Sequence, residues 1–276
     1  MSESKNGTGV SLPDNWGSAS AKYATSTTVI TRPCSEELIS WVNDKSPFSA
    51  PNVEVFDNGC GTGVVTTALS TSFPNISIVA GDLSPGMMEV VEKKEIPNVR
   101  TQVLDAVDLN PVEDNTFTHV LSTFMVQFTP APLQALKEMY RVTKVGGTMG
   151  LAMWGNSILY EPWIEACRHF ESGYKYPHTW SADWEQDDEL KAYIHRAGFK
   201  DIQMKTLKPR WNFKGPEGLY SFFLGSKNPE FERAIRPWKE NGRYDEVEAV
   251  YKRLVEEKYN GAADFDMKVF LFIARK

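Results

Sequence analysis

The stretch Val55-Phe-Asp-Asn-Gly-Cys-Gly-Thr-Gly63 decides the fold of this chain. It contains most of a short apolar run, residues 53–57, which predicts a β-strand. Three glycines follow at alternate positions, and residues 64–72 then show helical spacing. Glycines between a strand and a helix let the backbone approach a ligand closely, because side chains would block that approach. We therefore predict a strand–loop–helix unit whose helix N-terminus presents unpaired N–H groups to a bound molecule.

The alternation of β-rich runs and helical stretches continues along the chain in both directions from this unit. Strands separated by helices form parallel sheets with right-handed crossovers, so the pattern predicts an α/β protein with a doubly wound sheet. Further strands are predicted at 76–80, 99–104, 117–121, 148–154, 202–207 and 267–274. Gly146-Gly147 is predicted to be a turn. Helices are predicted at 18–41, from 85 onward, at 132–142, at 189–197 and within 217–259.

An aspartate stands at or just after the end of each of the first three strands: Asp57, Asp82 and Asp105. Ligands of open α/β sheets bind beyond the carboxyl ends of the strands, so these acids are predicted to lie at one site. Asp82 is placed to accept both hydroxyls of a ribose. Asp105 is placed to accept a hydrogen bond from the amino group of an adenine. The Ala106 N–H is placed to donate a hydrogen bond to the adenine ring. Each acid taken singly is equally compatible with a helix or turn cap.

The glycine spacing distinguishes two kinds of nucleotide site. Dinucleotide-binding proteins carry G-x-G-x-x-G, usually without an acid just before it. Here the pattern is D-x-G-x-G-x-G, from Asp57 to Gly63. An acid at that position repels a pyrophosphate and attracts the ammonium group of a methionine moiety. The spacing therefore argues against a nicotinamide-dependent oxidoreductase.

Several segments together resemble the motifs of class I S-adenosylmethionine-dependent methyltransferases. Residues 55–63, Gly81-Asp82-Leu83-Ser84 and Leu104-Asp105-Ala106 resemble their first three motifs, and residues 136–148 and Ala197-Gly198-Phe199 resemble later ones. Asn58 stands where the family has an apolar or small residue, which we treat as a minor departure. The resemblance implies a seven-stranded Rossmann-like sheet in the order 3-2-1-4-5-7-6 with an antiparallel last strand. It also implies S-adenosyl-L-methionine as cofactor, bound by Tyr23, Asp57, Gly59, Cys60, Gly61, Asp82, Leu83, Asp105, Ala106 and Ser122.

The regions outside the sheet are predicted to form a helical cap. The start of the chain, residues 15–23, resembles the lid helix of small-molecule methyltransferases, in which an aromatic residue closes over the methionine end. The whole chain is similar to fungal secondary-metabolite methyltransferases, and within them to the gliotoxin-type bis-thiomethyltransferases. We expect residues 1–14 to be a disordered tail and 15–276 one domain, with cap elements at about 15–45, 156–185 and 215–260. Predicted substrate contacts are Trp16, Phe124, Met125, Gln127 and Trp154.

Composition limits the partners of the protein. The net charge is −6 over 276 residues, whereas nucleic-acid binding usually shows as a basic stripe. Cys34, Cys60 and Cys167 are widely spaced, which favours a reducing cytoplasm over a disulfide framework. No apolar run approaches membrane-spanning length. We therefore expect a cytoplasmic enzyme with a small-molecule acceptor, no nucleic acid, no membrane and no obligate protein partner.

The expected mechanism is metal-free methyl transfer by proximity and desolvation. No carboxylate cluster suggests a catalytic magnesium, and no clear base follows the fourth or fifth strand. His169 and His178 fall in residues 156–184, a segment rich in Trp and Tyr that we expect to be part of the cap, and both are more simply structural. A thiol has a reference pKa of about 8.5 and needs little help to ionise, which favours S-methylation of a dithiol metabolite such as reduced gliotoxin. An O- or N-methyltransferase, and a cofactor-binding protein of this fold that does not methylate, remain alternatives.

Overall fold

A computed structural model describes residues 13–156, 158–177, 187–226, 228–258, 261 and 264–276, with side chains from Thr27 onward, Asp187 excepted. Nine strands and nine helices lie in these ranges. The helices are α1 (Pro13–Lys45), α2 (Val64–Ser72), α3 (Pro85–Glu92), α4 (Pro132–Val142), α5 (Glu161–Arg168), α6 (Asp187–Arg196), α7 (Pro216–Phe223), α8 (Pro229–Glu240) and α9 (Tyr244–Lys258). The strands are β1 (Glu54–Asn58), β2 (Ser77–Asp82), β3 (Val99–Val103), β4 (Phe117–Thr123), β5 (Thr143–Trp154), β6 (Lys200–Leu207), β7 (Arg210–Asn212), β8 (Asp264–Asp266) and β9 (Val269–Arg275).

Seven of the strands form one sheet in the order β3-β2-β1-β4-β5-β9-β6. Strands β1 to β5 pair in parallel, and β9 is antiparallel to both of its neighbours. This confirms the predicted doubly wound order, because β9 occupies the place of the seventh strand. Parallel pairing of β1 with β2 and β4 brings the carboxyl ends of these strands to one edge of the sheet.

Both faces of the sheet are covered, which explains why inner strands such as β1 and β9 are buried on both sides. Successive side chains of a strand point to opposite faces. Val55 accordingly packs with Leu38 of α1 and Leu69 of α2, and Phe56 lies in the cluster that contains α4 and α6. That second cluster continues without a break into α5, α7, α8 and α9. The cap helices therefore share the apolar core of the sheet.

Two features of the strands differ from the predictions. Strand β5 begins at Thr143 and runs through the glycine pair predicted as a turn. The β4–β5 register shifts between Phe117 and His119, and Gly146 has a φ of +76°. The pair is therefore an irregularity within a strand. The antiparallel ribbon of β7 and β8 was not predicted.

The predicted end regions are described in part. Of the expected tail, residues 1–12 lie outside the described residues, and 13–14 already belong to α1. Helix α1 covers the predicted cap range 15–45, α5 lies within 156–185, and α7 to α9 lie within 215–260. Residues 178–186 are not described. None of the helices in the described part of the chain is long and apolar enough to cross a membrane.

Candidate active site

The loop between β1 and α2 passes very close to its neighbours. Gly59 has a φ of +73°, and a Cβ atom there would lie 2.3 Å from Met125 Cγ. The N–H groups of Gly59 and Cys60 both donate to the Gly81 carbonyl, at 2.8 and 3.0 Å. Both the left-handed conformation and the close approach require glycine at position 59. The loop therefore lies directly against β2 and the segment after β4.

A cavity of about 190 Å³ lies over this loop. Its walls come from the loop, from the carboxyl ends of β2, β3 and β4, and from the second half of α1. Seven of the predicted cofactor residues lie on the wall: Gly59, Cys60, Gly61, Asp82, Leu83, Asp105 and Ala106. The carboxyl-end site expected for an open α/β sheet is thus present.

Two of the three aspartates lie on the cavity wall. Asp82 accepts hydrogen bonds from the Gly61 N–H (Oδ2, 2.9 Å) and the Ser84 N–H (Oδ1, 2.9 Å). These bonds fix the orientation of the carboxylate, and burial raises its pKa. Asp105 is held by the Val107 N–H, which donates to Oδ1 at 3.0 Å. Both carboxylates are therefore immobilised by backbone donors and line the cavity.

The third aspartate, Asp57, lies beneath the loop and is not part of the cavity wall. It is 1% exposed, and its Oδ2 accepts from the Thr66 N–H at 3.0 Å and the Thr66 hydroxyl at 2.5 Å. Oδ1 is buried without a hydrogen-bond partner among the described residues. Burial raises the pKa of this carboxyl to about 7. Asp57 therefore anchors α2 to the end of β1, which is the structural alternative considered for such an acid.

Sequence reasoning did not assign Asn58, a deeply buried polar residue of the wall, to the site. Its side chain is 1% exposed, it lines the cavity, and its Nδ2 has no acceptor among the described residues. Buried polar groups in proteins are nearly always hydrogen-bonded, so such a donor points to a ligand group. The treatment of Asn58 as a minor departure from the family pattern overlooked this donor.

Helix α1 supplies a second missed part of the wall. Thr27, Thr28, Thr31 and Ser35 line the cavity. Ser35 is 1% exposed, and its hydroxyl has no partner among the described residues. The spacing of Thr27, Thr31 and Ser35 is that of one helix face, and it is the signal that could have identified them. The predicted lid residues Trp16 and Tyr23 belong to the same helix, but their side chains lie outside the described ones.

The wall fits the cofactor expected from the sequence. The methionine end of S-adenosylmethionine carries a carboxylate, which needs donors, and Asn58 Nδ2 and the Ser35 hydroxyl are buried donors on the wall. Its ribose needs an acceptor, and Asp82 supplies one on the same wall. Burial also raises the pKa of the Cys60 thiol well above its ordinary value. Cys60 is therefore a neutral lining group and not a nucleophile.

A second, smaller cavity of about 40 Å³ adjoins the first. Thr27 and Phe128 belong to the walls of both. Aromatic side chains dominate the lining, which also contains the polar residues Thr27, Asn156, Asn228 and Glu230. The described lining residues are Thr27, Phe128, Trp154, Asn156, Leu159, Tyr160, Trp211, Phe222, Asn228, Glu230, Phe231 and Met267. We call this space the acceptor cavity.

Three of the predicted substrate residues line the two cavities. Phe124 and Met125 line the first cavity, and Trp154 lines the acceptor cavity. The rings of Phe124 and Trp154 lie 4.4 Å apart. Phe124 has a φ of +56°, which is rare for a bulky residue and typical of functional sites. Gln127 lines neither cavity; its Oε1 accepts from the Trp154 N–H at 2.7 Å and so joins the two segments.

Ser122 and His169 do not line either cavity. Ser122 is fully buried in β4 and is not on the wall, because its neighbour Thr123 points to the cavity. His169 is exposed at the end of α5, and its ring contacts the Glu165 carbonyl. His178 lies outside the described residues. In the described ranges no group of three His, Cys, Asp or Glu side chains is arranged to hold a metal ion.

The sequence is similar to a methyltransferase family and to several named methyltransferases. Residues 56–151 match the family described as a methyltransferase domain. The chain is 24% identical over 260 residues to methyltransferase ktnA of Aspergillus niger, covering 82% of this chain and 85% of the relative. It is 30% identical over 194 residues to demethylmenaquinone methyltransferase of Staphylococcus carnosus, covering 64% and 77% respectively.

A solved structure shows the same fold. Phosphoethanolamine N-methyltransferase 2 of Haemonchus contortus, in complex with phosphomonomethylethanolamine and S-adenosylhomocysteine, has a TM-score of 0.60 at 18% identity. The similarity covers 97% of this chain and 61% of that one. One conclusion follows from the sheet order, the glycine loop with its acids and the 30% identity to a named methyltransferase. The chain belongs to the class I S-adenosylmethionine-dependent methyltransferases.

Proposed function

We propose that the protein transfers the methyl group of S-adenosylmethionine to a small, apolar molecule that binds in the acceptor cavity. The observation that carries this proposal is the shared wall of the two cavities at Thr27 and Phe128. A group in the acceptor cavity is thereby placed next to the cofactor cavity. Concave sites lined by aromatic residues with a few polar groups are typical of small-molecule binding.

In this proposal the residues of the first cavity bind and orient the cofactor. Asp82 accepts from the ribose, Asp105 and Ala106 hold the adenine, and Asn58 and Ser35 donate to the methionine carboxylate. When bound, S-adenosylmethionine supplies an electrophilic methyl group on its sulfonium. Phe124, Met125 and Phe128 form the apolar wall at the junction and exclude water. Orientation alone supplies on the order of 7–11 kcal/mol of barrier reduction in well-aligned cases.

The first candidate for the acceptor atom is a thiol of a dithiol metabolite such as reduced gliotoxin. At the junction, the described wall of the first cavity is formed by residues that do not titrate near neutral pH: Thr27, Thr123, Phe124, Met125 and Phe128. A thiol needs no base there, since its reference pKa of about 8.5 leaves part of it ionised. The resemblance of the N-terminal and cap segments to gliotoxin-type bis-thiomethyltransferases points to the same acceptor.

The second candidate is an aromatic hydroxyl, and the composition of the acceptor cavity favours it. Trp154, Tyr160, Trp211, Phe222 and Phe231 surround the space, and aromatic rings pack well in offset or edge-to-face contact with a flat ligand. One relative is named for demethylmenaquinone, whose quinone ring system is flat and fits such a space whatever the acceptor atom. At about 40 Å³ the cavity holds roughly three water-sized groups, so it accommodates only the reacting end of an acceptor.

Mass spectrometry of a turnover assay tests the proposal. Purified protein and S-adenosylmethionine are incubated in parallel with a reduced epidithiol and with a panel of small phenols and hydroquinones. Methylated dithiol without phenol product selects the first candidate, and the reverse result selects the second. Binding of S-adenosylmethionine without any product contradicts the proposal and indicates a cofactor-binding protein that does not methylate. Asp82→Ala is the matched negative control, because it removes the proposed ribose acceptor.

A further inference from the structure

A carboxylate lies in the aromatic wall of the acceptor cavity. Glu230, in the first turn of α8, has a side chain that is only 3% exposed and that lines this cavity. It is the one carboxylate among the described lining residues. Keeping an ionised group away from water costs a great deal of free energy unless the group is paired. Buried titratable groups that line a cleft are candidate functional positions.

Glu230 lines the acceptor cavity and is held by contacts of its backbone and by one ion pair of its side chain. Its backbone N–H donates to Asn228 Oδ1 at 2.9 Å, and its Oε1 lies 3.7 Å from Arg233 Nη2 on the next turn of α8. The hydroxyl of Tyr176, from the segment after α5, donates to the Glu230 carbonyl at 3.0 Å. Tyr160 lines the same cavity. Burial raises the pKa of Tyr176 well above its ordinary value, so this phenol stays neutral.

We propose that Glu230 accepts the proton of an aromatic hydroxyl on the acceptor during methyl transfer. The hydroxyl O–H bond breaks and its proton moves to a carboxylate oxygen of Glu230. A lone pair of the acceptor oxygen forms the bond to the methyl carbon. The C–S bond breaks, and its electron pair stays on sulfur, which becomes a neutral thioether. The proton then passes to solvent after the product leaves.

The chemical reason for a base here is the acidity of the acceptor. A phenolic hydroxyl has a reference pKa of about 10 and is almost fully protonated at neutral pH, whereas a thiol at about 8.5 is partly ionised. A positioned general base typically contributes about 10²- to 10⁴-fold to the rate. Glu230 therefore makes an aromatic hydroxyl a competent acceptor at this site. This inference rests on the proposed function and adds a residue and an acceptor class to it.

A binding experiment tests the contact without turnover. The probe is 4-nitrophenol, whose absorbance distinguishes the phenol from the phenolate, added to the protein saturated with S-adenosylhomocysteine. We expect the wild type to bind the neutral phenol, which donates to Glu230, and to lose affinity as pH rises and the phenolate forms next to the carboxylate. Glu230→Gln removes that repulsion, so its affinity should depend much less on pH. Equal pH dependence in both proteins, or no binding to the wild type, overturns the proposal.

Glu232 offers a matched control in the same turn of the same helix. Its side chain is 40% exposed, pairs with Lys239 at 3.8 Å and does not line the cavity. Glu232→Gln makes the same change of charge near the same helix end, and we expect it to match the wild type within about twofold. Cofactor binding and thermal unfolding of Glu230→Gln show whether the variant is folded.

Turnover of the acceptors then separates the proton-accepting role from simple binding. With a phenol that the wild type methylates, Glu230→Gln should lower kcat by about 10²-fold or more, and the remaining rate should rise with pH as the phenol ionises. With a thiol acceptor the loss should stay below about tenfold. Methylation of thiols alone, or an undiminished rate on phenols, refutes the role of Glu230. If the wild type methylates nothing and 4-nitrophenol still binds as expected, the proposed function fails and the Glu230 contact stands.

Discussion

Replacing Asn58 with Leu should change cofactor affinity and protein stability in opposite directions. The two side chains are similar in size, so the substitution removes the amide with little change in packing. Asn58 is buried at the end of β1, on the wall of the cofactor cavity, and its Nδ2 has no acceptor among the described residues. The amide thus contributes little to the ligand-free protein and is available to the ligand.

The size of each effect follows from the hydrogen bond. A bond to a charged group such as the methionine carboxylate is worth about 1.5–3 kcal/mol. Its loss should raise the Kd for S-adenosylhomocysteine about 10- to 150-fold. A buried donor without a partner costs about 1–3 kcal/mol. Removing it should raise the Tm of the ligand-free protein by a few degrees, since 1 kcal/mol shifts the Tm of a chain of this size class by about 2–4 °C.

Calorimetric titration with S-adenosylhomocysteine and thermal unfolding without ligand measure the two effects. Asn98→Leu is the control, because Asn98 is an asparagine whose amide is satisfied. Its Nδ2 donates to the Ile76 carbonyl at 3.0 Å, and its Oδ1 accepts from the Ser70 hydroxyl. This variant should lose stability and keep its cofactor affinity. An unchanged Kd for Asn58→Leu, or a lower Tm, would refute the assignment of this amide to the cofactor.

Three further predictions concern the glycine loop and the aspartates. Gly59→Ala should lower the free energy of unfolding. The left-handed backbone contributes about 1–2 kcal/mol, and the new contact with Met125 contributes about 1–3 kcal/mol. A Tm that is unchanged in calorimetry would contradict the close approach. Asp82→Ala should abolish cofactor binding, and a titration with wild-type affinity would remove Asp82 from the site. The pKa of Asp57, raised from 3.8 to about 7, means that the native state binds more protons than the unfolded state between these values. The free energy of unfolding should therefore fall as pH rises from about 4 to about 7, and Asp57→Asn should flatten this slope in denaturant titrations at several pH values.

The main sheet could be predicted because its signals are local. Most strands of the parallel part contain a short apolar run next to a helix, and the resemblance to a known family supplied the order. The start of β5 could not be predicted in the same way. Gly146-Gly147 has the composition of a turn, and only pairing with β4 and β9 makes it part of a strand. Strands β7 and β8 are three residues each and far apart in sequence, so no local pattern connects them.

The residues of the candidate site also divide into those that local sequence predicts and those that depend on tertiary packing. The glycines, Asp82 and Asp105 follow strands directly and are recognisable from their spacing. Ser35 lies on a helix well before the loop that it faces, and its contribution depends on how α1 packs across the sheet. Glu230 is further still from the other site residues, at the start of α8. The position of Asp57 was evident, but burial and its two bonds to Thr66 are tertiary properties.

The place of β9 in the sheet has a consequence for synthesis on the ribosome. This strand is the latest of the nine in the chain, yet it lies between β5 and β6 and is buried along almost its whole length. Until residues 269–275 emerge from the exit tunnel, the edge of β5 carries unpaired backbone groups of the kind that pair with other chains. Completion of the sheet is therefore delayed until translation has passed the cap helices, and chaperone protection matters most during that interval.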